Sequence, residues 1–424
     1  MKISVAEAPT PMIKIMHLIT DLATGGAEIM LYKMVSCLDR SQFQNSVVSM
    51  TDRGSLGDKI EAMQVPVFTL GLRRGIPDPR ALFRLLRLLR TERPHILQTW
   101  LYHSDLLGLA AGRLARVPVI AWNIRCSDMN LREYPKLTSF VLKTLVWLAR
   151  FPNVVIFNSN AGQLFHQRLG YCPRKSSVIP NGFDLDEFRP DPEARSWFRK
   201  ELGLSPVTPL VGLVARYDPM KDHENFLRAA ASVVKQRPGI HFVLVGQGVD
   251  ESNQELNAEM RSHNISLNLH LLGKRHDIRN IMPALDVLVL SSAFGEGFPN
   301  VLGEAMAAEV PCIVTDVGDA AQIVGNTGSV VGAKDAGGLA AAIREVLDMP
   351  AEERRRLGFA ARRRIEECFS LVSVVRQYEG LYRELTAGLP EYPSPESLLL
   401  QRRPHTACSR TSDTLHRNSE KSDL

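Results

Sequence analysis

The sequence predicts an α/β fold with two parallel sheets in two lobes. Short β-branched runs alternate with helix-length segments, the mark of βα units on a parallel sheet. The alternation runs through once, breaks at a turn-rich passage, and starts again. The chain has 424 residues, which at about 150 per domain favours two or three domains with full cores.

In the first lobe the strand-like runs are 13–19, 46–50, 95–99, 117–122 and 154–158, each ending where a polar or Gly-containing loop begins. After Pro206 the second series is 210–214, 241–245, 269–272, 287–290 and 312–315. Between them Pro180-Asn181-Gly182-Phe183-Asp184 and the polar residues through Pro192 read as a hinge or domain linker. Residues 350–367 are densely charged and helical in pattern, and 371–386 form a second amphipathic helix before Gly388 and Pro390. Residues 391–424 are rich in Ser, Pro, Arg and Thr with few large apolar side chains, a composition expected to stay disordered.

Composition narrows the function class. Hydrophobic residues make up 45% and charged ones 23%, values of an ordinary folded protein. Cys37, Cys126, Cys172, Cys312, Cys368 and Cys408 are scattered with no CxxC pair, which argues against a disulfide framework and structural zinc and fits a reducing compartment. A net charge of +5 is too slight to imply a nucleic-acid partner; an anionic small ligand or a membrane surface suffices. The apolar run 13–19 contains Lys14 and His17 and reads as a strand rather than a leader. The run 140–149 contains Lys143 and falls short of the roughly 20 residues a membrane span needs. The expected location is cytoplasmic.

Three loops carry the chemistry. After the run 287–290 comes Ser291-Ser292-Ala293-Phe294-Gly295-Glu296-Gly297-Phe298-Pro299-Asn300, leading into Val301-Leu302-Gly303-Glu304-Ala305-Met306. A helix starting near Pro299 places Glu296 in the strand-to-helix loop and Glu304 about one turn inside. The free N–H groups of that helix start favour a phosphate, and Glu304 suits a ribose diol. The second loop, Arg216-Tyr217-Asp218-Pro219-Met220-Lys221, follows the first strand of the second lobe, where two cations five apart can straddle a diphosphate. The third, Thr24-Gly25-Gly26-Ala27-Glu28, lets backbone approach a ligand closely. Ordinary solvated side chains and a plain βα turn remain the alternatives for each.

Taken in this order, with Ile179-Pro180-Asn181-Gly182-Phe183-Asp184, these elements make the span from Ile13 to Thr386 resemble glycosyltransferase family 4, retaining enzymes of the GT-B fold. The resemblance implies two Rossmann-like domains facing each other across a cleft: 1–185, binding the acceptor and completed by a C-terminal helix at about 371–388, and 186–370, binding the nucleotide-sugar. It implies that Arg216 and Lys221 bind the donor diphosphate and stabilise its departure, that Glu304 holds the ribose, and that Glu296 faces the donor sugar. Gly297, Phe298, Pro299, Asn300 and Val301 then supply backbone contacts, with Gly25 and Gly26 on the other wall. His103, after the run 95–99, and Arg125, after the run 117–122, are the candidates for contacts to donor sugar or acceptor. Two positions depart from the family pattern: Gly303 stands where a larger apolar residue is usual and Glu309 where glycine often follows, which puts the local helix packing in question.

The mechanism these residues suggest neutralises the leaving diphosphate with cations and a helix terminus, without a cofactor or metal. The resemblance implies retention through front-face attack; a Glu296 nucleophile acting by double displacement stays open. Arg80, Arg84, Arg87 and Arg90 fall within about 120° of helical arc, a stripe suited to anionic lipid or to plain solvation. The working expectation is a peripheral enzyme at the inner face of the membrane, extending a glycan or lipid-linked glycan in surface polysaccharide biosynthesis. A sugar-nucleotide epimerase and a non-catalytic sugar-nucleotide-binding protein are the rivals.

Overall fold

The computed structural model describes residues 12–23, 25–73, 78–127 and 136–389. Thr24 and the tail at 391–424 lie outside them. The chain divides into a compact unit, Met1–Ala387, and the stretch Gly388–Leu424.

The compact unit contains two all-parallel sheets. The first holds β1 (Ile13–Ile19), β2 (Phe43–Ser49), β3 (Val67–Thr69), β4 (Ile96–Trp100), β5 (Val119–Ile124), β6 (Val154–Phe157) and β7 (Ser176–Val178), in the order β3-β2-β1-β4-β5-β6-β7. The second holds β8 (Leu210–Val214), β9 (His241–Val245), β10 (Leu269–Leu271), β11 (Val287–Leu290), β12 (Cys312–Thr315) and β13 (Gly328–Val331), in the order β10-β9-β8-β11-β12-β13. This is the two-lobed α/β fold the sequence predicts. Every residue of β4, β5 and β11 is buried, as expected of central strands covered by helices on both faces. Three strands, β3, β7 and β13, have no counterpart in the sequence reading. They are three or four residues long and lie at sheet edges, where partial exposure erases the apolar run that marks a central strand.

The strand order positions the site. In the first sheet the winding reverses between β1 and β4, and in the second between β8 and β11. A crevice opens outside the carboxyl ends of the strands at such a switch point. The loops that follow these four strands are those carrying Gly25, Leu101, Arg216 and Glu296.

The chain passes between lobes at Phe183 and again at Ser370, and the two crossings pair with each other: Phe183 N donates to Phe369 O at 2.9 Å and Leu371 N to Phe183 O at 2.8 Å. The final helix, Leu371–Thr386, lies against the first sheet, with Tyr382 Oη donating to Gln98 Oε1 at 2.7 Å and Asn123 Nδ2 donating to Tyr378 Oη at 3.0 Å. Among the described residues no helix is long and apolar enough to cross a membrane.

The question raised by Gly303 and Glu309 is answered by packing. A Cβ on Gly303 would stand 2.1 Å from Cζ of Phe183, so the bare helix face is what lets the crossover phenyl ring lie against it. Phe183 in turn stacks on Phe298 at 6.0 Å between centroids, tying the crossover to the loop below. Glu309 adopts φ +60, which accounts for glycine often standing there; a non-glycine residue in that region costs about 1 kcal/mol. The helix between them is intact at Asn300–Ala307.

Candidate active site

The loop after β11 is shaped before any ligand is considered. Gly295 turns the chain at φ +79. Thr315 Oγ1 donates to Ser292 O at 2.6 Å, and Ser291 Oγ donates to Lys221 O at 2.7 Å. Ala293 N donates to Met220 O at 2.9 Å, so the loops after β8 and β11 are stitched together. Beneath them Gly318, at φ +63, passes so close that a Cβ would meet Glu296 O at 2.1 Å.

Glu296 is only 6% exposed. Its Oε1 accepts from Ser292 Oγ at 2.5 Å and forms an ion pair with Lys221 Nζ. The two residues singled out separately in the sequence are thus one buried pair. Arg216 goes the other way: its Nε donates to Asp218 Oδ2 at 2.9 Å, and its side chain remains 59% exposed at the rim. Asp218 Oδ1 accepts the Met220 N–H at 2.9 Å, holding the turn that aims Lys221 inward.

Pro299 is the residue before the helix rather than its first turn, and Asn300 begins it. No side chain caps this end. Its free N–H groups and partial positive charge are therefore available beside Pro299 and Asn300, both of which line the crevice.

The opposite wall comes from the first lobe. Gly26, Ala27, Glu28, Leu101, Arg125 and Ser127 face Arg216, Lys221, Gly295, Glu296 and Phe298 across a cavity of about 430 Å³. Gly25 lies just behind, where a Cβ would stand 2.2 Å from Glu28 Oε2. Arg125 has its Nη1 3.3 Å from Tyr378 Oη and its guanidinium 5.3 Å from the Trp100 ring centroid. Burial lowers its pKa, with Tyr378 and the Glu28 carboxylate opposing. Its Nη2 donates to Asn181 Oδ1, and Asn181 Nδ2 donates to Asn300 Oδ1. A chain of polar contacts thus runs from the final helix, through the linker, to the start of the second-lobe helix.

Two expected residues sit elsewhere. His103, the second residue of helix Tyr102–Ala115, is half-buried with its pKa lowered by that burial, and it does not line the crevice. Leu101 takes that place, in a left-handed φ of +72 rare for a branched side chain. Glu304 lies on the flank of the helix, outside the crevice wall, near Lys33 and Glu187, which pair at 3.2 Å. Burial pushes its carboxyl up to about 7, with Lys33 pulling down and Glu187 pushing up. Val301 also stands back from the wall. Asn181 and Tyr378, which the sequence gives no individual role, join the site; Asn181 stands in the sequence as part of the hinge passage and of the Ile179–Asp184 motif that carries the family resemblance. Among the described residues no group of three His, Cys, Asp or Glu is placed to hold a metal ion.

Residues 24–187 match the model of Glycosyltransferase Family 4 and residues 195–364 that of Glycosyl transferases group 1. The chain is 30% identical over 319 residues to the UDP-Gal:alpha-D-GlcNAc-diphosphoundecaprenol alpha-1,3-galactosyltransferase of Escherichia coli, covering 72% of this chain and 80% of that one. It is 25% identical to the N,N'-diacetylbacillosaminyl-diphospho-undecaprenol alpha-1,3-N-acetylgalactosaminyltransferase of Campylobacter jejuni, covering 72% and 82%. Among solved structures, Anabaena HepE in complex with UDP and glucose superposes with a TM-score of 0.74 at 22% identity, covering 88% of this chain and all of the other.

Proposed function

Because the chain belongs to glycosyltransferase family 4, we propose that this GT-B hexosyltransferase moves a sugar from a nucleoside-diphosphate donor in the second lobe to a hydroxyl of a lipid-diphosphate-linked glycan presented by the first. One observation carries the reading. Lys221, Arg216 and an uncapped helix start converge with Glu296 on a single crevice, and the wall opposite presents Arg125.

As the bond to the donor sugar breaks, negative charge grows on the departing diphosphate. Lys221 and Arg216 neutralise it, and the N–H groups at Asn300 and Val301 add a fixed dipole. Glu296, held in place by Ser292 and Lys221, faces the sugar. Glu304, on the helix flank about one turn beyond Asn300 and off the crevice wall, takes the ribose of a donor that reaches past Asn300. Arg125, on the first-lobe wall of the crevice, binds the acceptor's phosphate. The configuration at the sugar is retained. The relatives named above act, by their names, on diphosphoundecaprenol-linked sugars, which supports a surface polysaccharide pathway.

The test is turnover. The protein is incubated with UDP-galactose, UDP-glucose, UDP-N-acetylhexosamines and GDP-mannose, in the presence of EDTA, with and without a polyprenyl-diphosphate-linked sugar. Release of nucleoside diphosphate only when acceptor is present, with the donor's anomeric configuration kept in the product by NMR, supports the reading. An altered sugar formed without acceptor indicates an epimerase. Binding without turnover of any donor indicates a sensor.

An acceptor on a lipid requires approach to a membrane. Helix Arg80–Glu92 buries Ala81, Leu85 and Leu89 and leaves Arg80, Arg84, Arg87 and Arg90 outward with Phe83 at 68% exposure. Helix Tyr102–Ala115 packs beside it and beside helix Lys136–Leu148. That third helix exposes Phe140 and Trp147 at 66% and 67%, with Arg150 stacked 4.9 Å from the Trp147 ring. Cations beside exposed aromatics suit the headgroup level of an anionic bilayer. Co-sedimentation with phosphatidylglycerol vesicles, but not phosphatidylcholine ones, is expected; Arg87→Glu with Arg90→Glu is expected to weaken it about tenfold or more, at about 1 kcal/mol for each cation removed. Equal sedimentation with both lipids overturns the membrane assignment.

A further inference from the structure

Asp319 lies in the second lobe at the residue preceding the short helix Ala320–Val324, where an aspartate ordinarily caps its own helix. It does not do so: no side-chain bond to that helix is formed. Its carboxylate instead reaches across to the first lobe. Oδ2 accepts the Asn160 N–H at 2.7 Å and Oδ1 the Ala161 N–H at 2.8 Å, the first two N–H groups of helix Asn160–Arg168. The third, Gly162 N, donates to Ser159 Oγ at 3.0 Å. The first-lobe helix is therefore capped jointly by its own serine and by a carboxylate from the other lobe, charge and dipole matched. Beside this, Asn160 Nδ2 donates to Gln322 Oε1 at 2.8 Å.

The same residue is fastened to the reaction centre. Asp319 N donates to Gly297 O at 3.0 Å, and Gly318 before it presses on Glu296 O. Gly297 faces the first lobe directly, where a Cβ would meet Ser127 Oγ and Ser159 Oγ at 3.3 Å each. Ser127 Oγ also donates to Gly295 O at 3.3 Å. Asp319 is only 7% exposed; it stands outside the crevice and lines, with Asn160 and Gln322, a smaller adjoining cavity of about 240 Å³, and both its carboxylate oxygens are taken up by the Asn160 and Ala161 N–H groups of the first lobe.

We propose that Asp319 is a positioning residue that clips the Gly295–Gly297 loop to the first lobe, setting the sugar-facing loop in register with the acceptor wall when the lobes close. The inference rests on the donor reading above. With the clip, Glu296 and Gly297 meet the first lobe in one geometry. Without it, the donor still binds the second lobe, but the acceptor hydroxyl and the sugar carbon are no longer aligned.

Asp319→Ala is expected to lower kcat about 30- to 100-fold, the scale of a displacement near 1 Å at the reacting atoms, while the affinity for the nucleoside diphosphate measured by calorimetry changes less than threefold. Small-angle scattering with the nucleotide bound is expected to show a larger radius of gyration than wild type. A second variant acts from the other lobe. Asn160 occupies the first position of its helix, where proline fits and supplies no N–H, so Asn160→Pro removes one arm of the clip without unwinding the helix. It is expected to lower kcat in the same direction, and the double variant to be no slower than Asp319→Ala alone. Wild-type kcat in both single variants overturns the proposal, as does loss of nucleotide affinity in step with kcat in Asp319→Ala. Neither result touches the donor site itself, which fails separately if Lys221 proves dispensable for nucleotide binding.

Discussion

Lys221→Ala is expected to lower kcat/KM at least about 100-fold, the cost of removing one preorganised charge-stabilising group, and to destabilise the fold at the same time. The two losses have different origins. Lys221 and Glu296 are nearly sequestered from solvent, at 13% and 6% side-chain exposure. Taking away the ammonium strands a buried carboxylate, with Ser292 Oγ its remaining hydrogen-bond partner, at about 3 kcal/mol. Adding Glu296→Gln to Lys221→Ala removes the stranded charge, so the melting temperature is expected to recover while turnover does not. If Lys221→Ala alone keeps both wild-type stability and wild-type nucleotide affinity, the pair is not the heart of the site.

Glu304→Gln is expected to change both donor affinity and the pH dependence of stability. The Glu304 carboxyl is pushed up to about 7 in the folded protein because burial disfavours its charge; in the unfolded chain it titrates near its ordinary value of 4.5. Between those values the folded state holds a proton that the unfolded state releases. Stability therefore falls as pH rises through the window from about 4.5 to 7, by up to about 3 kcal/mol from this one group. Glutamine cannot ionise. Denaturant unfolding at pH 5 and pH 8 is expected to show a shallower loss for Glu304→Gln, leaving it more stable than wild type at pH 8. Donor binding should move the opposite way. A ribose diol donates to the carboxylate, so wild-type affinity is expected to strengthen as pH rises through 7, and the variant to bind about 10- to 100-fold more weakly at pH 8, the worth of hydrogen bonds to a charged acceptor. An unchanged pH slope in the variant removes Glu304 from both roles.

The site was legible in the sequence where it is local. Gly295 to Glu304 and Arg216 to Lys221 are each a strand end, a turn and a helix start within a dozen residues, and side-chain type and spacing there are enough to raise phosphate chemistry as an expectation. The relation between them was not. That Lys221 and Glu296 form one ion pair depends on β8 and β11 being neighbours in the sheet although 72 residues of chain separate their ends, from Val214 to Val287. Asp319 with Asn160, and Arg125 with Asn181 and Asn300, are likewise meetings of residues far apart in the chain. His103 shows the converse. Its place after a strand suggested the cleft, but the helix begins at Tyr102 and leaves Leu101, not His103, on the wall.

By itself, then, the sequence determined the alternation of strand and helix, the presence of two lobes, the place of the candidate loops at the carboxyl ends, and the amphipathic closing helix. These depend on periodicity and on glycine and proline placement, which act over a few residues. Only the tertiary structure decided which charges pair, why Gly303 must be bare beneath Phe183, and where each lobe grips the other. Parallel pairing brings together segments far apart in the chain, and burial, which sets both the ion pair and the Glu304 titration, belongs to the assembled surroundings rather than to any residue alone.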